Sequence, residues 1–459
     1  MVDAKNLVLT YEIPMKYFIF SQTQKKSESI FILNLVKSLM IFLTFSFLAL
    51  SKETLNTSSE SEPKCIEFKQ ISQLAFCLSA KDPGLKEIGY ELEAAKFKLD
   101  IATQWPNPEI NWQFGHGFFL GDEIWQNQVS LMQTFLIGGK NSAKHAVALT
   151  ENQALELQKE LKKMEVLNQI LKSFIRLKAL SLEINYTSES IQTITQALKI
   201  YKSKPRLDPE QITALYLLEM SFHQNESQVA ILSFEKKDLL AKLKALSKKE
   251  ISEAQFEKLI LSAKDPQFKN QFKASTEVIT LQKKIRQKEL EYRKALYDFE
   301  IANSWPDLKI GPMINHQWQG SLEQVTYGFN FAFTFPLYNM NGAARANRRA
   351  LYESYKNTKE VQDTQNEIEL ETRLHRYQDI LDKYQRLPSL SSVESKVKNI
   401  NSLLKRGLIS VPSFMEVRRQ TIDYIKSRQE MQQQLFDLYL SLKNDLAPDE
   451  KFEIWENIL

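Results

Sequence analysis

Hydrophobic and polar positions change period along this chain, and they do so twice. Ile110, Trp112, Phe114, His116 and Phe118 alternate with Glu109, Asn111, Gln113 and Gly115, a period of two that predicts a β-strand. The run that follows puts Val129, Leu131 and Phe135 on one side and Gln128, Ser130 and Thr134 on the other. Later, Val325, Tyr327, Phe329, Phe331, Phe333 and Phe335 face one way, and Thr326, Gly328, Asn330, Ala332 and Thr334 the other. Four strands are predicted, at about residues 108–118, 126–136, 306–318 and 324–336. In a soluble sheet such an aromatic face needs a covering helix. A small, uncharged polar face opposite an aromatic one is instead the pattern of a strand between lipid and a water-filled lumen. Strands of about 9–11 residues cross a bilayer when tilted. Trp112, Phe114, Tyr327, Phe329, Phe331 and Phe333 are therefore the lipid-facing candidates.

Elsewhere the period is helical. Residues 140–202 contain neither Pro nor Gly, and Leu157, Leu161, Met164, Leu167, Leu171 and Phe174 mark an apolar stripe. At about 1.5 Å per residue such a helix spans roughly 95 Å. Lys202–Pro209 predicts a tight turn. The returning run carries Leu215, Leu218, Phe222, Asn225, Val229, Leu232, Lys236, Leu239, Leu243 and Leu246 at alternating spacings of three and four, the seam of an antiparallel coiled coil. Residues 342–406 are predicted helical, 407–412 turn and 413–445 return, and Pro388 should break or kink the second long helix.

The two halves are one plan written twice. Glu91, Ala95, Ile101, Ala102, Trp105, Pro106, Ile110, His116, Thr134 and Phe135 recur as Glu291, Ala295, Ile301, Ala302, Trp305, Pro306, Ile310, His316, Thr334 and Phe335, always 200 apart. A repeat of this size outranks any local reading. Leu207-Asp208 answers to Ile409-Ser410 at a spacing of 202, and LSAKDP occurs at both Leu78 and Leu261. The expected organisation is a signal sequence (1–51), a tail with a short helix (52–82), repeat 1 (83–246, tip turn 203–209), an equatorial linker outside the tube (247–275), repeat 2 (276–446, tip turn 406–412) and a C-terminal tail (447–459). The class is mainly α with a small β part. Residues 84–104 and 210–246 together nearly match the long helix in length, as expected of two short helices stacked end to end along it.

Composition narrows the function. Sixty Lys and Arg against 56 Asp and Glu leave a net charge of +4, which gives no basis for nucleic-acid binding. Cys65 and Cys77 read either as one disulfide of an oxidising compartment or as two small apolar residues near a short helix. Lys25, Lys26 and Lys37 precede the apolar run Leu39–Leu50, whose end, Ala49-Leu50-Ser51, resembles a cleavage site. That is an export signal too short to span a bilayer; an uncleaved anchor over residues 30–50 is the alternative. There is no Walker loop, dinucleotide turn, HExxH or Gly-x-Ser-x-Gly, so no catalytic, cofactor or metal residue is assigned. His116 and His316 share a face with Trp112 and Trp318 and fit an interfacial aromatic belt better than a ligand set.

Helix, two strands, long helix, tight turn and returning helix, twice over behind a signal, resemble the TolC-like outer-membrane efflux proteins. The matching pieces are Asp82-Pro83, WPNPEI and WPDLKI, Phe135 followed by Gly138-Gly139, Phe335-Pro336-Leu337 followed by Asn341-Gly342, and Arg406-Gly407-Leu408-Ile409-Ser410, over about residues 66–446. Four strands cannot close a barrel, since bacterial ones begin at eight. The resemblance implies a homotrimer: a twelve-stranded transmembrane β-barrel in outer-membrane lipid, continued by an antiparallel coiled-coil α-helical barrel in the periplasm. It implies that two tips meet a periplasmic adaptor (membrane fusion) protein joined to an inner-membrane pump. One tip holds Lys204, Pro205, Arg206 and Leu207, the other Arg406, Gly407, Leu408, Ile409 and Ser410. Pro205 departs from the family, which usually has Gly there. Asp208, Arg406 and Glu416 are the gate candidates, each a ring of like charge around a closed tunnel end. The expected function is a non-enzymatic exit duct for a tripartite efflux pump or a type I secretion system. The competing reading is a periplasmic coiled-coil scaffold or interaction protein, and the surroundings of the aromatic strand face decide between them.

Overall fold

The computed structural model describes residues 71–119, 121–248, 251–262, 267–268, 272, 280–334 and 340–446. The expected signal sequence, most of the following tail, Cys65, Phe335-Pro336-Leu337 and the C-terminal tail lie outside the described residues. The elements run α1 (Ile71–Ala80), α2 (Pro83–Thr103), β1 (Glu109–Phe119), β2 (Asp122–Phe135), α3 (Lys140–Lys202), α4 (Pro209–Leu246), α5 (Glu253–Ser262), α6 (Leu281–Ala302), β3 (Leu308–Gln319), β4 (Leu322–Phe333), α7 (Gly342–Arg386), α8 (Leu390–Lys405) and α9 (Val411–Leu446).

Local chemistry sets these limits. Asp82 accepts the Leu85 N–H at 3.0 Å and Pro83 opens α2, a cap followed by a residue whose missing N–H costs nothing there. α3 begins after Gly139 (φ 77) and α7 after Asn341 (φ 58), two residue types that tolerate the left-handed conformation. These equivalent caps are 202 apart, so the offset of 200 ends between the strands and the long helices. The hairpin turns are tighter than expected, because β2 and β4 begin at Asp122 and Leu322 rather than near 126 and 324. Gly121 (φ 90) and Gly320 (φ 56) reverse the chain within the turn, so pairing continues almost to the tip.

The second long helix is broken where Pro388 lacks an N–H and crowds the preceding turn. Ser389 caps α8 by accepting the Ser392 N–H at 3.3 Å. The return helix starts at Val411, two residues before the expected start, because Pro412 is accepted in a first turn.

The main core forms where α1, α3, α4, α5, α7 and α9 meet, and it contains Leu74, Leu78, Leu171, Phe174, Phe256, Tyr377, Phe436 and Tyr439. Each leucine removed from water there contributes about 2 kcal/mol. The linker, expected as a belt outside the tube, packs on the helices through α5, whose Phe256 and Ile260 join this core. α1 and α5 both lead into an LSAKDP and are both ten residues long, so the repeated unit includes them. Cys77 is disulfide-bonded, which selects the first of its two readings; its partner lies outside the described residues. All ten seam positions of α4 are buried or half-buried. The two polar ones are bonded: Asn225 donates to Ser190 Oγ at 3.2 Å, and Lys236 pairs with Glu257 of α5 at 2.9 Å. Both α2 and α4 pack along α3, as their summed length suggests.

Candidate functional site

The four strands form one antiparallel sheet in the order β1-β2-β3-β4, and its register sorts every side chain onto one of two faces. Trp112 lies opposite Val129, Val129 opposite Ile314, and Ile314 opposite Tyr327. Phe114, Trp125, Trp318, Phe329, Phe331 and Phe333 share that parity. The other face carries Asn111, Gln113, Gln128, Ser130, Asn315, Gln317, Thr326 and Asn330. The alternation seen strand by strand thus becomes one mainly apolar face, interrupted by Asn127 and Gln133, and one mainly polar face, interrupted by Ile124, Met132 and Met313.

Exposure runs opposite to that of a soluble sheet. Trp112 is 73% exposed, Tyr327 76% and Phe331 67%, whereas on the polar face the inner strands are covered, with Ser130 2% exposed and Gln128 and Asn315 half-buried, and only the edge strands leave Asn111, Gln113 and Thr326 exposed. No described helix covers the aromatic side; the sheet's substantial packing is strand on strand. Polar-face charges stay at its ends. Lys309 Nζ bonds the Glu109 carboxylate at 2.7 Å, and Asp122 sits in a hairpin. The sheet also contains Gly311-Pro312 in an inner strand. A Cβ on Gly311 would stand 1.7 Å from the Leu131 carbonyl oxygen, so β2 and β3 approach there as only glycine allows.

The two histidines lie on the aromatic face, where parity placed them. His116 packs on Trp125 at 4.0 Å between ring centroids and His316 on Trp318 at 3.7 Å, while His316 Nε2 meets the Glu323 carboxylate. Among the described residues no three His, Cys, Asp or Glu side chains converge as a metal-binding group. No described helix is long and apolar enough to cross a membrane.

At the far end of the helices the two turns are brought side by side. Ile194, Ala197, Ala214, Leu218 and Val411 make a second small core, with Tyr201, Phe222, Leu404 and Met415 around it. In the first turn Lys204 Nζ stands 5.0 Å from the Tyr201 ring, Pro205 and Arg206 are exposed, and Leu207 is half-buried. In the second, Gly407 (φ 69) donates to Leu404 O at 2.9 Å and Leu408 to Leu403 O at 3.0 Å, the paired bonds of a left-handed helix end. This leaves Leu408 65% exposed, with Ile409 half-buried beneath it; the Ser410 hydroxyl accepts the Ser413 N–H. Of the gate candidates, Asp208 caps α4 by accepting the Gln211 N–H at 2.7 Å. Glu416 is bonded by Arg419 at 2.7 Å and Gln420 at 2.8 Å, bonds that hold its carboxyl below the usual range. Arg406 is exposed at the end of α8.

One buried cation escaped the sequence reading. Arg418 of α9 is 2% exposed, reaches Thr193 Oγ1 of α3 at 3.3 Å and stands 3.8 Å from the Glu189 carboxylate. Burial pulls its pKa down, and Glu189 partly opposes that. The available signal was its place in the apolar stripe of α9, four residues after Phe414 and seven before Ile425.

Together these elements make the TolC-like fold. A membrane protein from Pseudomonas aeruginosa aligns with a TM-score of 0.65 at 12% identity, over 84% of this chain and 92% of that one. The open state of the Neisseria gonorrhoeae MtrE outer membrane channel gives 0.62 at 11% identity, over 83% and 91%. The outer membrane protein VceC of Vibrio cholerae gives 0.58 at 13%, over 82% and 96%. No protein-family model matches the sequence, and no curated protein matches it. The likeness is one of fold.

Proposed function

We propose that this chain is a homotrimeric outer-membrane exit duct, passing substrate from the periplasm outward for a tripartite efflux pump or a type I secretion system. The sheet with its aromatic face exposed and uncovered by any described helix, opposite a polar face charged only at its ends, carries the reading. Each phenylalanine moved from water into hydrocarbon gains about 2 kcal/mol, so the face favours lipid and the polar side favours a water-filled lumen. The disulfide at Cys77 suits an oxidising compartment. The tips, with Leu408 outermost, would meet the periplasmic adaptor and through it an inner-membrane pump.

The internal repeat supplies the geometry of assembly. β1 and β4 are the free edges of the sheet, and three copies closing β4 onto β1 give twelve strands. Ser130 lies opposite Met313 across the joint between repeats. With the offset of 200 carried over, Asn330 would lie opposite Gln113 of the next copy. In the same way α3 packs on α6 within the chain, so α7 would pack on α2 of the next copy. Exposed Leu351, Val361 and Ile368 on α7 and Tyr90, Phe97 and Ile101 on α2 are the surfaces that contact would cover.

The test is a chain carrying both Asn330→Cys and Gln113→Cys. Membranes from cells making it should yield a covalent trimer on non-reducing gels, and monomer alone would remove the barrel. Extraction into aqueous buffer without detergent would favour the periplasmic scaffold instead. Deletion tested against toxic metals and drugs separates the two duct roles: lost resistance marks efflux, and an unchanged panel leaves secretion.

A further inference from the structure

Glu109 and Lys309 hold the same place in the two repeats, 200 residues apart, and carry opposite charges. Both lie on the polar face at the helix end of the sheet, where Glu109 stands opposite Met132 and Lys309 opposite Thr134. Lys309 Nζ donates across β2 to both Glu109 oxygens, at 2.7 and 2.8 Å. The bond passes over Met132 and Thr134, which are 2% and 7% exposed. The neighbouring Asp307 is taken by Lys140 at 2.6 Å. The Lys309 and Glu109 side chains stay 36% and 48% exposed. An ammonium with three donors and a carboxylate with about four acceptor sites each have capacity left for a second partner.

Resting on the trimer of the exit-duct reading, we propose that this ion pair continues between copies. Glu109 and Lys309 then alternate in a closed ring around the polar side of the barrel, each Lys309 also bonding Glu109 of the next copy. The register carries the inference. The pairing that sets Thr134 opposite Lys309 within the chain sets Thr334 opposite Glu109 of the next copy, and Ala332 already lies opposite Lys309. Lys309 therefore stands to the next Glu109 across β4 as Glu109 stands to Lys309 across β2. Had the repeats kept one residue at this place, the ring would hold only like charges. The ring specifies what the two faces of the sheet do not. A slip of two residues between β4 and the next β1 leaves the apolar and polar sides sorted, yet it moves each carboxylate about 7 Å from its ammonium.

The experiment uses two full-length chains with different affinity tags, Glu109→Lys and Lys309→Glu, made separately and together. In the first both ring positions are lysine, and in the second both are glutamate. The bond within each chain thus becomes a repulsion and stays one in any mixture, while opposite charges meet again between unlike copies. Each chain alone should yield several-fold fewer trimers than the native one, and co-expression should restore trimers that carry both tags. Both changes in one chain should restore them as well. Rescue by that swap without rescue by co-expression confines the bond to one copy and overturns the proposal, as do undiminished trimers from either chain alone. The neutral chain Glu109→Gln, Lys309→Gln is free of like-charge repulsion and reads the register. In the native background Asn330→Cys should cross-link with Gln113→Cys and not with Asn111→Cys; in the neutral background it should cross-link with both. An unaltered pattern counts against the ring. If the native background gives no cross-link between positions 330 and 113, the trimer itself has failed, and the ring with it.

Discussion

The hairpin of the first repeat is built on one unbroken helix, whereas that of the second is jointed. α3 runs 63 residues from Lys140 to Lys202; α7 and α8 cover the equivalent course in pieces of 45 and 16 residues. Pro388 causes the break, and α9 secures it: the Pro388 carbonyl accepts from the Tyr424 hydroxyl at 2.8 Å and from Arg428 at 3.1 Å, while Arg428 also stacks on Tyr384. The tips differ in the same sense. Gly407 permits a left-handed helix end that pushes Leu408 outward, and Pro205 at the matching place does not. A duplicated plan keeps its lengths and its periodicity, then diverges where single residues govern the backbone.

The sharpest test of that divergence lies in the sheet. Gly311 and Asn111 are equivalent by the offset of 200, yet one faces a backbone 1.7 Å from where its Cβ would be and the other sits on an edge strand. Gly311→Ala should destabilise the protein by about 3 kcal/mol, read as a lower unfolding temperature in detergent or as lost trimer. Asn111→Ala should change it by less than about 0.5 kcal/mol. Equal tolerance would mean that the close approach of β2 and β3 is not real. Next in size is a contrast between faces. Phe331→Asp should cost about 2 kcal/mol per copy at mid-bilayer depth and block assembly, while its neighbour Asn330→Asp is accepted. Indifference to both would end the lipid assignment.

Much of this was legible in the sequence because it depended on period and length. Strand alternation, the helix of residues 140–202, the α4 seam and the break at Pro388 follow from residue spacing and backbone chemistry alone. The role of α5 did not, since ten residues with an apolar stripe do not say which surface the stripe will meet. Arg418 was illegible for a related reason: a cation inside a stripe reads as an interruption until Thr193 and Glu189 are known to stand across from it. The joint bonds from α9 to Pro388 connect residues 36 and 40 positions apart, and no local pattern announces them. Asp208 and Glu416, the gate candidates, also make local bonds, the first as a helix cap and the second in a same-helix ion pair.

At the tips the expected effect is smaller and is read on a partner. Leu408→Asp should weaken capture of the periplasmic adaptor about tenfold, or about 1.4 kcal/mol, with trimers intact. Arg206→Asp, at the equivalent place in the first tip, should weaken it less. Unchanged capture by the Leu408 variant would remove the tip claim, and equal losses would mean that Gly407 gives the second tip no special part.

The smallest effect isolates the joint. At the offset of 202, Tyr424 and Arg428 answer to Phe222 and Glu226, so the first repeat lacks both donors and, having no break, has no orphan carbonyl to satisfy. Tyr424→Phe therefore writes the first repeat's residue into the second and deletes one hydrogen bond. The ring is half-buried and its packing survives the change. Arg428 still reaches the Pro388 carbonyl, so the loss should be about 1 kcal/mol, that of a single bond. Adding Arg428→Leu leaves the carbonyl without its side-chain donors and should cost more than the two single changes combined, because each donor partly covers for the other. The measurement is a double-mutant cycle on unfolding temperature, with hydrogen exchange at Ser389–Val393 reporting the joint. Strict additivity, with exchange at α8 unaltered, would mean that the two donors do not share the task of holding the break, and that the second hairpin is no more jointed in its energetics than the first.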